Sequence, residues 1–194
     1  MKRVLSIQDI SCIGKCSLTV ALPIISAMGI ETSILPTSIL STHTMFNDFT
    51  FRDLTDDMEP IKKHWQKEGF SFDAIYTGYL GSEKQITLVK DYFKTFGNTC
   101  KYIIVDPAMA DNGKLYPGFD KDFPLKMAKL CKYADVILPN ISEAAFMTGM
   151  PYPGENASNE CIKDLLLSLA KLGSKKIVIT GVESADHKFG FMGY

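Results

Sequence analysis

Two acidic residues follow the apolar run Tyr102–Val105 closely enough to serve one binding site. Asp106 comes directly after the run, and Asp111 comes five residues later, just before an Asn-Gly pair that can turn tightly. The run is apolar and β-branched, as a strand buried on both faces requires, and Pro107 cannot continue a central strand. Open α/β sheets bind ligands at the carboxyl ends of their strands, where two carboxylates can hold a cation that bridges to phosphate oxygens. Asp106 equally suits a cap at the strand exit, so both interpretations stay open at this point.

Polar or acidic residues recur where each predicted strand ends. They are Asp9, Thr77, Asp106, Asn140 and Thr180. Asn140 also begins a helix in which Glu143 can reach back in a capping box, and a capping residue can face a cation as well. One such residue means little, whereas several along one edge of a parallel sheet predict a binding crevice.

Two further segments carry residues suited to holding a small polar ring. Residues 41–46 form the cluster Ser-Thr-His-Thr-Met-Phe, and Tyr79 stands between two nearby glycines that allow close approach to a ligand. His43 in such a loop is more often a structural hydrogen-bond partner than a catalyst. Tyr79 equally suits packing, and its place at a predicted strand exit favours ligand contact.

The composition argues against several classes of protein. The 194 residues are 46% hydrophobic and 22% charged, as in ordinary globular domains, and a net charge of -1 disfavours a general nucleic-acid or membrane-surface binder. Five cysteines without a CxxC pair disfavour structural zinc and a disulfide framework. The Gly14-Lys15 pair lacks the rest of a P-loop, and no apolar stretch approaches the ~20 residues of a membrane span. We therefore expect a cytoplasmic protein.

Predicted strands and helices alternate along the whole chain. The strands are predicted over residues 4–7, 31–40, 72–76, 102–105, 135–138 and 175–180, and the helices over residues 16–28, 53–70, 82–96, 120–131 and 159–172, with another helix opening at Asn140. Residues 8–15 are predicted as a loop, and Pro36 predicts that the second strand is bent or lies at a sheet edge. This alternation predicts an α/β fold with a mostly parallel sheet, helices on both faces and a single domain over residues 1–194.

Several sequence strings resemble those of a known family. Residues 77–82 read Thr-Gly-Tyr-Leu-Gly-Ser, residues 106–109 Asp-Pro-Ala-Met and residues 139–143 Pro-Asn-x-x-Glu, with Ser-Ile-Gln at residues 6–8 and Ser-x-His-Thr at residues 41–44. Together they resemble the pyridoxal/pyridoxamine (vitamin B6) kinase family of the ribokinase-like superfamily over nearly the whole chain. Related pyrimidine kinases of thiamine synthesis usually carry Met where Tyr79 stands, so this tyrosine favours a vitamin B6 substrate.

The resemblance implies a three-layer α/β/α fold and transfer of phosphate from ATP to the 5′-hydroxymethyl group of pyridoxal, pyridoxine or pyridoxamine. It implies substrate contacts from Asp9, His43, Thr44, Met45 and Tyr79. It implies ATP-side contacts from Asp106, Tyr116, Leu138, Asn140, Glu143 and Thr180, with Mg²⁺ held by Asp106, Asp111 and Glu143. A homodimer is also implied, without nucleic-acid or membrane partners, and whether a monovalent cation is needed stays open.

Two departures from the family pattern affect these expectations. The family commonly has Ser where Asp9 stands, so a neutral group becomes an acceptor-only anion, which suits a cationic amine such as pyridoxamine or a differently held ring. The sequence ends at Tyr194, before the Gly-x-Gly-Asp turn that supplies the family's anion hole and its general base. We therefore expect an N-terminal two-thirds of the kinase domain, with little or no turnover of its own. The alternatives are a hydroxymethylpyrimidine kinase and a non-catalytic pyridoxal- or nucleotide-binding pseudoenzyme.

Overall fold

The computed structural model describes residues 1–154, 157–183 and 189–194 of the chain. These residues form two compact units, the first from Met1 to Ile103 and the second from Ile104 to Tyr194. The expectation of a single domain over residues 1–194 stays a prediction.

Four strands of the first unit pair side by side. They are β1 (Arg3–Ser11), β2 (Glu31–Leu40), β3 (Phe51–Asp53) and β4 (Ala74–Thr77), in the order β3-β2-β1-β4. β1 pairs in parallel with β2 and with β4, whereas the short β3 is antiparallel to β2. Leu5 and Ile7 on β1, Leu35 on β2 and Ile75 on β4 are fully buried. Apolar runs of this kind are what parallel strands covered on both faces require.

Three helices belong to the first unit. They are α1 (Leu18–Ala27), α2 (Thr55–Lys67) and α3 (Glu83–Phe96). Ser82 caps α3, as predicted, because its hydroxyl accepts a hydrogen bond from the backbone N–H of Gln85 at 3.2 Å. The phenol of Tyr92 on α3 donates to the carbonyl of Met58 on α2 at 2.6 Å, and both side chains are fully buried. This contact ties the two helices together.

The first strand extends beyond its predicted end, whereas the second strand has its predicted bounds of residues 31–40. β1 continues to Ser11, so the loop predicted from residue 8 is wrong: Gln8 and residues 10–11 pair with β2. β2 passes through Pro36 without interruption, because β3 pairs with residues 38–40 and stops short of the proline, whose missing N–H is tolerated there. The helix predicted from residue 53 begins at Thr55, since Asp53 belongs to β3.

The described residues of the second unit form three strand pairs. Its strands are β5 (Tyr102–Val105), β6 (Ala110–Asp111), β7 (Lys114–Leu115), β8 (Val136–Ile137), β9 (Val178–Glu183) and β10 (Phe189–Gly193). β5 is parallel to β8, whereas β6 and β7, like β9 and β10, are antiparallel. Parallel bridges also join Ile137 to Ile177 and Asn140 to Thr180.

The part of the second unit that the structure describes also contains three helices. They are α4 (Phe123–Cys131), α5 (Ile141–Thr148) and α6 (Asn159–Lys171). The predicted apolar face of α6 is confirmed, since Ile162, Leu165, Leu166 and Leu169 are all buried. β9 continues past its predicted end at residue 180, because it pairs with β10. Within the described parts of the chain, no helix combines the length and the apolar character needed to cross a membrane.

Candidate active site

Asp106 and Glu143 lie close enough in the second unit for their charges to interact. Asp106 directly follows β5 and is half-buried, whereas Glu143, in the first turn of α5, is 2% exposed. Burial raises the pKa of Glu143 well above its ordinary value of 4.5, and the neighbouring charge of Asp106 raises it further. Two acids from separate sequence motifs therefore meet at one strand end.

Backbone hydrogen bonds hold both carboxylate oxygens of Glu143. Oε2 accepts from the N–H of Asn140 at 2.7 Å, and Oε1 accepts from the N–H of Met109 at 3.2 Å. Oδ1 of Asn140 accepts in return from the N–H of Glu143 at 2.9 Å, which completes the predicted capping box. These bonds favour the charged carboxylate and oppose the rise in its pKa.

The hairpin formed by β6 and β7 is hydrogen-bonded to the start of α5. Asn112 and Gly113 turn the hairpin with φ angles of 49° and 69°, the left-handed values that a tight two-residue turn requires. Nδ2 of Asn140 donates to the carbonyl of Ala110 at 2.8 Å, and the N–H of Gly113 donates to Oγ of Ser142 at 2.8 Å. The capping residues of α5 therefore also fix the loop that follows Asp-Pro-Ala-Met.

Asp111 lies on this hairpin with its carboxylate turned to its own neighbour. Its two oxygens accept from the backbone N–H of Asn112 at 2.9 Å and from its side-chain amide at 3.1 Å. Among the residues that the structure describes, no group of three His, Cys, Asp or Glu side chains is arranged to hold a metal ion. The structure therefore does not group Asp111 with Asp106 and Glu143, and its assignment to the metal stays a prediction.

Backbone contacts bring the remaining ATP-side residues to the same region of the second unit. The N–H of Leu138 donates to the carbonyl of Val105, and that of Thr180 to the carbonyl of Pro139, both at 2.9 Å. At the base of the hairpin, the N–H of Tyr116 donates to the carbonyl of Met109 at 2.9 Å. Backbone hydrogen bonds therefore link residues just after β5 and β8 to Thr180 within β9, and they bring together five of the predicted residues: Asp106, Leu138, Asn140, Glu143 and Thr180.

In the first unit, Asp9 is a buried carboxylate near the end of β1. It is 4% exposed, and burial raises its pKa above 3.8, while hydrogen bonding by the hydroxyls of Ser17 and Ser11 opposes the rise. Oγ of Ser11 donates to Oδ2 at 3.2 Å, whereas Oδ1 is buried without a geometrically sound hydrogen bond from any described residue. Such an atom in a native protein needs an explanation, of which a ligand is one.

The predicted substrate loop after β2 packs against the loop after β1. A Cβ placed on Gly14 would lie 2.1 Å from Cδ2 of His43, so a glycine is needed for this approach. Nδ1 of His43 accepts from the N–H of Met45 at 3.4 Å, and its ring lies 4.8 Å from that of Phe46. Thr44 is half-buried, whereas Met45 is 87% exposed. These contacts lie within the protein, and the predicted substrate contacts of His43, Thr44 and Met45 stay predictions.

Tyr79 lies within electrostatic reach of Asp9. Burial raises the pKa of its half-buried phenol above 10.0, and the negative charges of Asp9 and Asp53 add to the rise. Two of the predicted substrate residues, from the exits of β1 and β4, are therefore near each other.

Gln85 positions the Tyr79 turn and was missed as a site residue in the sequence. Its side chain is 1% exposed; Oε1 accepts from the N–H of Gly81 at 2.8 Å, and Nε2 donates to the carbonyl of Thr37 and to Oγ1 of Thr55, both at 2.9 Å. Oγ1 of Thr37 in turn donates to the carbonyl of Tyr79 at 3.2 Å. The only sequence feature that pointed to Gln85 was its place in the predicted capping box with Ser82.

Comparison with known proteins identifies the family to which this site belongs. Residues 31–190 match the phosphomethylpyrimidine kinase family. The chain belongs to this family. As a family member it has the ribokinase-like α/β fold with a mostly parallel sheet, and its resemblance to the pyridoxal kinases is confirmed by similar proteins.

Three relatives illustrate this similarity. A candidate phosphomethylpyrimidine kinase from Bacteroides thetaiotaomicron, solved with pyridoxal, is 42% identical with a TM-score of 0.89, over 95% of this chain and 64% of its own. Pyridoxal kinase from Lactobacillus plantarum is 33% identical with a TM-score of 0.86, over 100% of this chain and 72% of its own. A candidate pyridoxal kinase from Schizosaccharomyces pombe is 27% identical, over 84% of this chain and 54% of its own. This phosphomethylpyrimidine kinase family member therefore spans about half of the yeast relative and just under two thirds of the Bacteroides protein.

Proposed function

We propose that this chain belongs to an ATP-dependent kinase that phosphorylates the 5′-hydroxymethyl group of a vitamin B6 vitamer. The observation that carries the proposal is the pair of interacting carboxylates, Asp106 and Glu143, in a member of a kinase family. Phosphoryl transfer asks a protein mainly to position two substrates and to neutralise charge. A fixed pair of acids meets the second need through a metal ion.

The pair fits a Mg²⁺ ion that arrives with the nucleotide. Mg²⁺ is usually held by one or two carboxylates, with phosphate oxygens and water as its other ligands, so a cluster of three acidic side chains is not required. Two neighbouring carboxylates of which one is buried are costly without a cation. Asp106 would hold the ion, and Glu143, whose oxygens accept backbone hydrogen bonds, would add negative charge beside it when the ion is bound. When bound, the ion would offset the charge of the phosphates.

The nucleotide would contact the second unit near these acids. The backbone hydrogen bonds that bring these residues together support contacts from the backbone of Leu138 and from the side chains of Asn140 and Thr180. Tyr116, at the base of the hairpin, would reach the nucleotide from the side.

The first unit would supply the vitamer contacts. Asp9, Thr44 and Tyr79 are proposed to contact the polar groups of the pyridine ring, with His43 and Met45 lining the site. The buried oxygens without hydrogen-bond partners at the strand ends of this unit support a polar ligand there.

A hydroxymethylpyrimidine kinase is the second candidate function. Its support is the family match and the similar Bacteroides protein, which is a candidate phosphomethylpyrimidine kinase although it was solved with pyridoxal. A direct comparison of the two substrates decides between the candidates.

Binding and turnover are measured separately to test the proposal. Residues 1–194 are titrated by calorimetry with pyridoxal, with hydroxymethylpyrimidine and with Mg²⁺-ATP, and phosphorylated product is sought by mass spectrometry. We expect pyridoxal to bind more tightly than the pyrimidine, and we expect product from a chain that also carries the Gly-x-Gly-Asp turn, with little or none from residues 1–194. Tighter binding of the pyrimidine would overturn the vitamer assignment, and vitamer binding without product from the longer chain would favour a non-catalytic binding protein.

A matched pair of variants tests the metal assignment. Asp106→Asn should weaken Mg²⁺-ATP binding by about 10- to 100-fold, the loss typical of a charge-assisted contact. Asp111→Asn, on the exposed hairpin, should leave binding within about threefold. Equal losses of Mg²⁺-ATP affinity in both variants would support Asp111 as a second metal ligand. No loss in either variant would show that the pair of Asp106 and Glu143 does not bind the metal.

A further inference from the structure

Asp9 is a buried acid whose surroundings in the first unit contain no positive charge acting on it. Among the described residues of this unit, the influences on its pKa are burial and the hydrogen bonds of Ser17, Ser11 and its own backbone, and none is a cation. Isolated charges are rarely buried, because the loss of water costs more than a few hydroxyl contacts return. A buried carboxylate of this kind is a candidate functional group.

The pairing of β1 with β2 changes register at Asp9. Gln8 stands opposite Pro36, whereas Ile10 stands opposite Ile39, so two residues of β2 lie opposite Asp9 alone. A shift of this kind re-aims the side chain at the irregular position, and such shifts are frequent beside binding sites. The backbone therefore gives Asp9 an orientation that regular pairing would not.

Three hydroxyl groups near the same strand ends are, like Oδ1 of Asp9, buried without a hydrogen-bond partner in the described part of the chain. Oγ of Ser38 and Oγ1 of Thr42 and Thr77 are buried and have no hydrogen-bond partner among the residues that the structure describes. They lie at or just beyond the carboxyl ends of β2 and β4, the two strands that flank β1. The hydroxyls can donate or accept, so Asp9 is the only member of this set that can provide a negative charge.

We propose that Asp9 determines substrate specificity by binding an ammonium group, so that the site prefers pyridoxamine to pyridoxine and pyridoxal. The inference rests on the proposed function and names the substrate class within it. The three vitamers share the ring and differ in one substituent, which is a protonated amine at neutral pH in pyridoxamine and uncharged in the other two. An ammonium group supplies the hydrogen-bond donor that Oδ1 of Asp9 lacks. It also supplies a positive charge to balance the negative charge of the carboxylate.

The loop between β1 and α1 lies beside Asp9, because the hydroxyl of Ser17 within it bonds to the carboxylate. The loop is closed beside Asp9 by a bridge between Ile10 and Ser17, and residues 12–15 within it are exposed. Lys15 and Ser17 have φ angles of 50° and 53°, which residues with a side chain seldom adopt. Because Oδ1 is shielded from solvent, a ligand reaches it only when the residues that cover it move.

Calorimetry of residues 1–194 with each of the three vitamers at pH 7 tests the proposal. The native chain should bind pyridoxamine most tightly. Asp9→Asn keeps the size of the side chain and removes its charge, so pyridoxamine affinity should fall by about 10- to 100-fold and pyridoxine affinity by less than about threefold. If Asp9→Asn does not fold, Asp9→Ser is used instead, since it also removes the charge. Ser11→Ala, which removes the donor to Oδ2 and keeps the charge, should retain the preference for the amine.

Each other outcome counts against the proposal in a distinct way. Vitamer binding without an amine preference in the native chain, or a preference that survives both Asp9 variants, overturns the role of Asp9 and leaves the proposed kinase function standing. An equal loss of all three vitamers would make Asp9 a general structural residue of the site. If the native chain bound none of the three vitamers, the proposed function and this inference would fall together.

Discussion

Asn140 and Glu143 cap each other: the carboxylate accepts from the backbone N–H of Asn140 at 2.7 Å, and the amide oxygen accepts from the backbone N–H of Glu143 at 2.9 Å. The same two side chains hold the loop after β5, through the N–H of Met109 and the carbonyl of Ala110. The cap of α5 therefore also positions a loop some thirty residues earlier in the chain. A change at this cap should affect both the start of α5 and the loop after β5.

Replacing Asn140 by Ala should cost more stability than removing an ordinary helix cap. The variant loses the cap and the hydrogen bond to Ala110, so we expect the free energy of unfolding to fall by about 2 kcal/mol. Ser158→Ala, which removes the bond that caps α6 and an exposed hydrogen bond to Glu160 next to it, should cost about 1 kcal/mol. Urea unfolding of both variants measures the difference, and equal losses would show that the bond to the hairpin contributes nothing.

Glu143→Gln should change how stability depends on pH. The pKa of Glu143 is raised in the folded state above its ordinary value of 4.5, so the proton is held more tightly by the folded chain than by the unfolded one. The contribution of Glu143 is therefore complete below about pH 4.5 and is lost as the pH rises through the folded-state pKa. The stability of the native chain relative to the Gln variant should decrease from pH 4 towards pH 8. Urea titrations across this range give that difference, and an increase with pH would contradict the assignment.

Gln85→Leu should weaken vitamer binding without any direct contact to the ligand. The variant leaves the N–H of Gly81 and the carbonyl of Thr37 without their partner, so the turn that carries Tyr79 loses its support. We expect pyridoxal affinity to fall by about tenfold and the free energy of unfolding by about 2 kcal/mol.

Thr87→Val is the matched control for Gln85, because Thr87 is an exposed residue on the same helix. Its pyridoxal affinity should stay native within the error of calorimetry. A Gln85 variant that lost stability but bound pyridoxal normally would restrict this glutamine to a structural role.

Gly113→Ala should destabilise the second unit beyond the cost of backbone strain alone. A Cβ at Gly113 would lie 2.5 Å from Cδ1 of Tyr152, and the residue has a φ of 69°. Gly149 has a φ of 71° with nothing near its missing Cβ, so Gly149→Ala measures the strain by itself, about 1 kcal/mol. We expect Gly113→Ala to lose at least about 1 kcal/mol more in urea unfolding. Equal losses would mean that Tyr152 moves aside without cost.

Features that depend on residues a few positions apart could be predicted from the sequence. The cap of α5 joins residues three apart, and the Asn112-Gly113 turn joins neighbouring strands directly. The place of Asp106 followed from the end of one apolar run. In each case the backbone geometry of a single element decides which groups can meet.

Contacts between distant segments were not predictable in this way. Gln85 bonds to Thr37, 48 residues away, and Glu143 bonds to Met109, 34 residues away. The continuation of β1 and β9 beyond their predicted ends likewise depends on partner strands, which the local pattern of apolar residues does not report. Asp111 bonds to its own neighbour Asn112, and its grouping with Asp106 and Glu143 stays a prediction.

The alternation of strands and helices, the caps and turns, and the placing of acids and small polar groups at strand exits follow from the chemistry of neighbouring residues, so they can be predicted from the sequence. Which of those groups are buried, which meet and which have no partner depends on how distant segments pack in the folded chain. Burial by those segments leaves Oδ1 of Asp9 without a donor and raises the pKa of Glu143 beside Asp106.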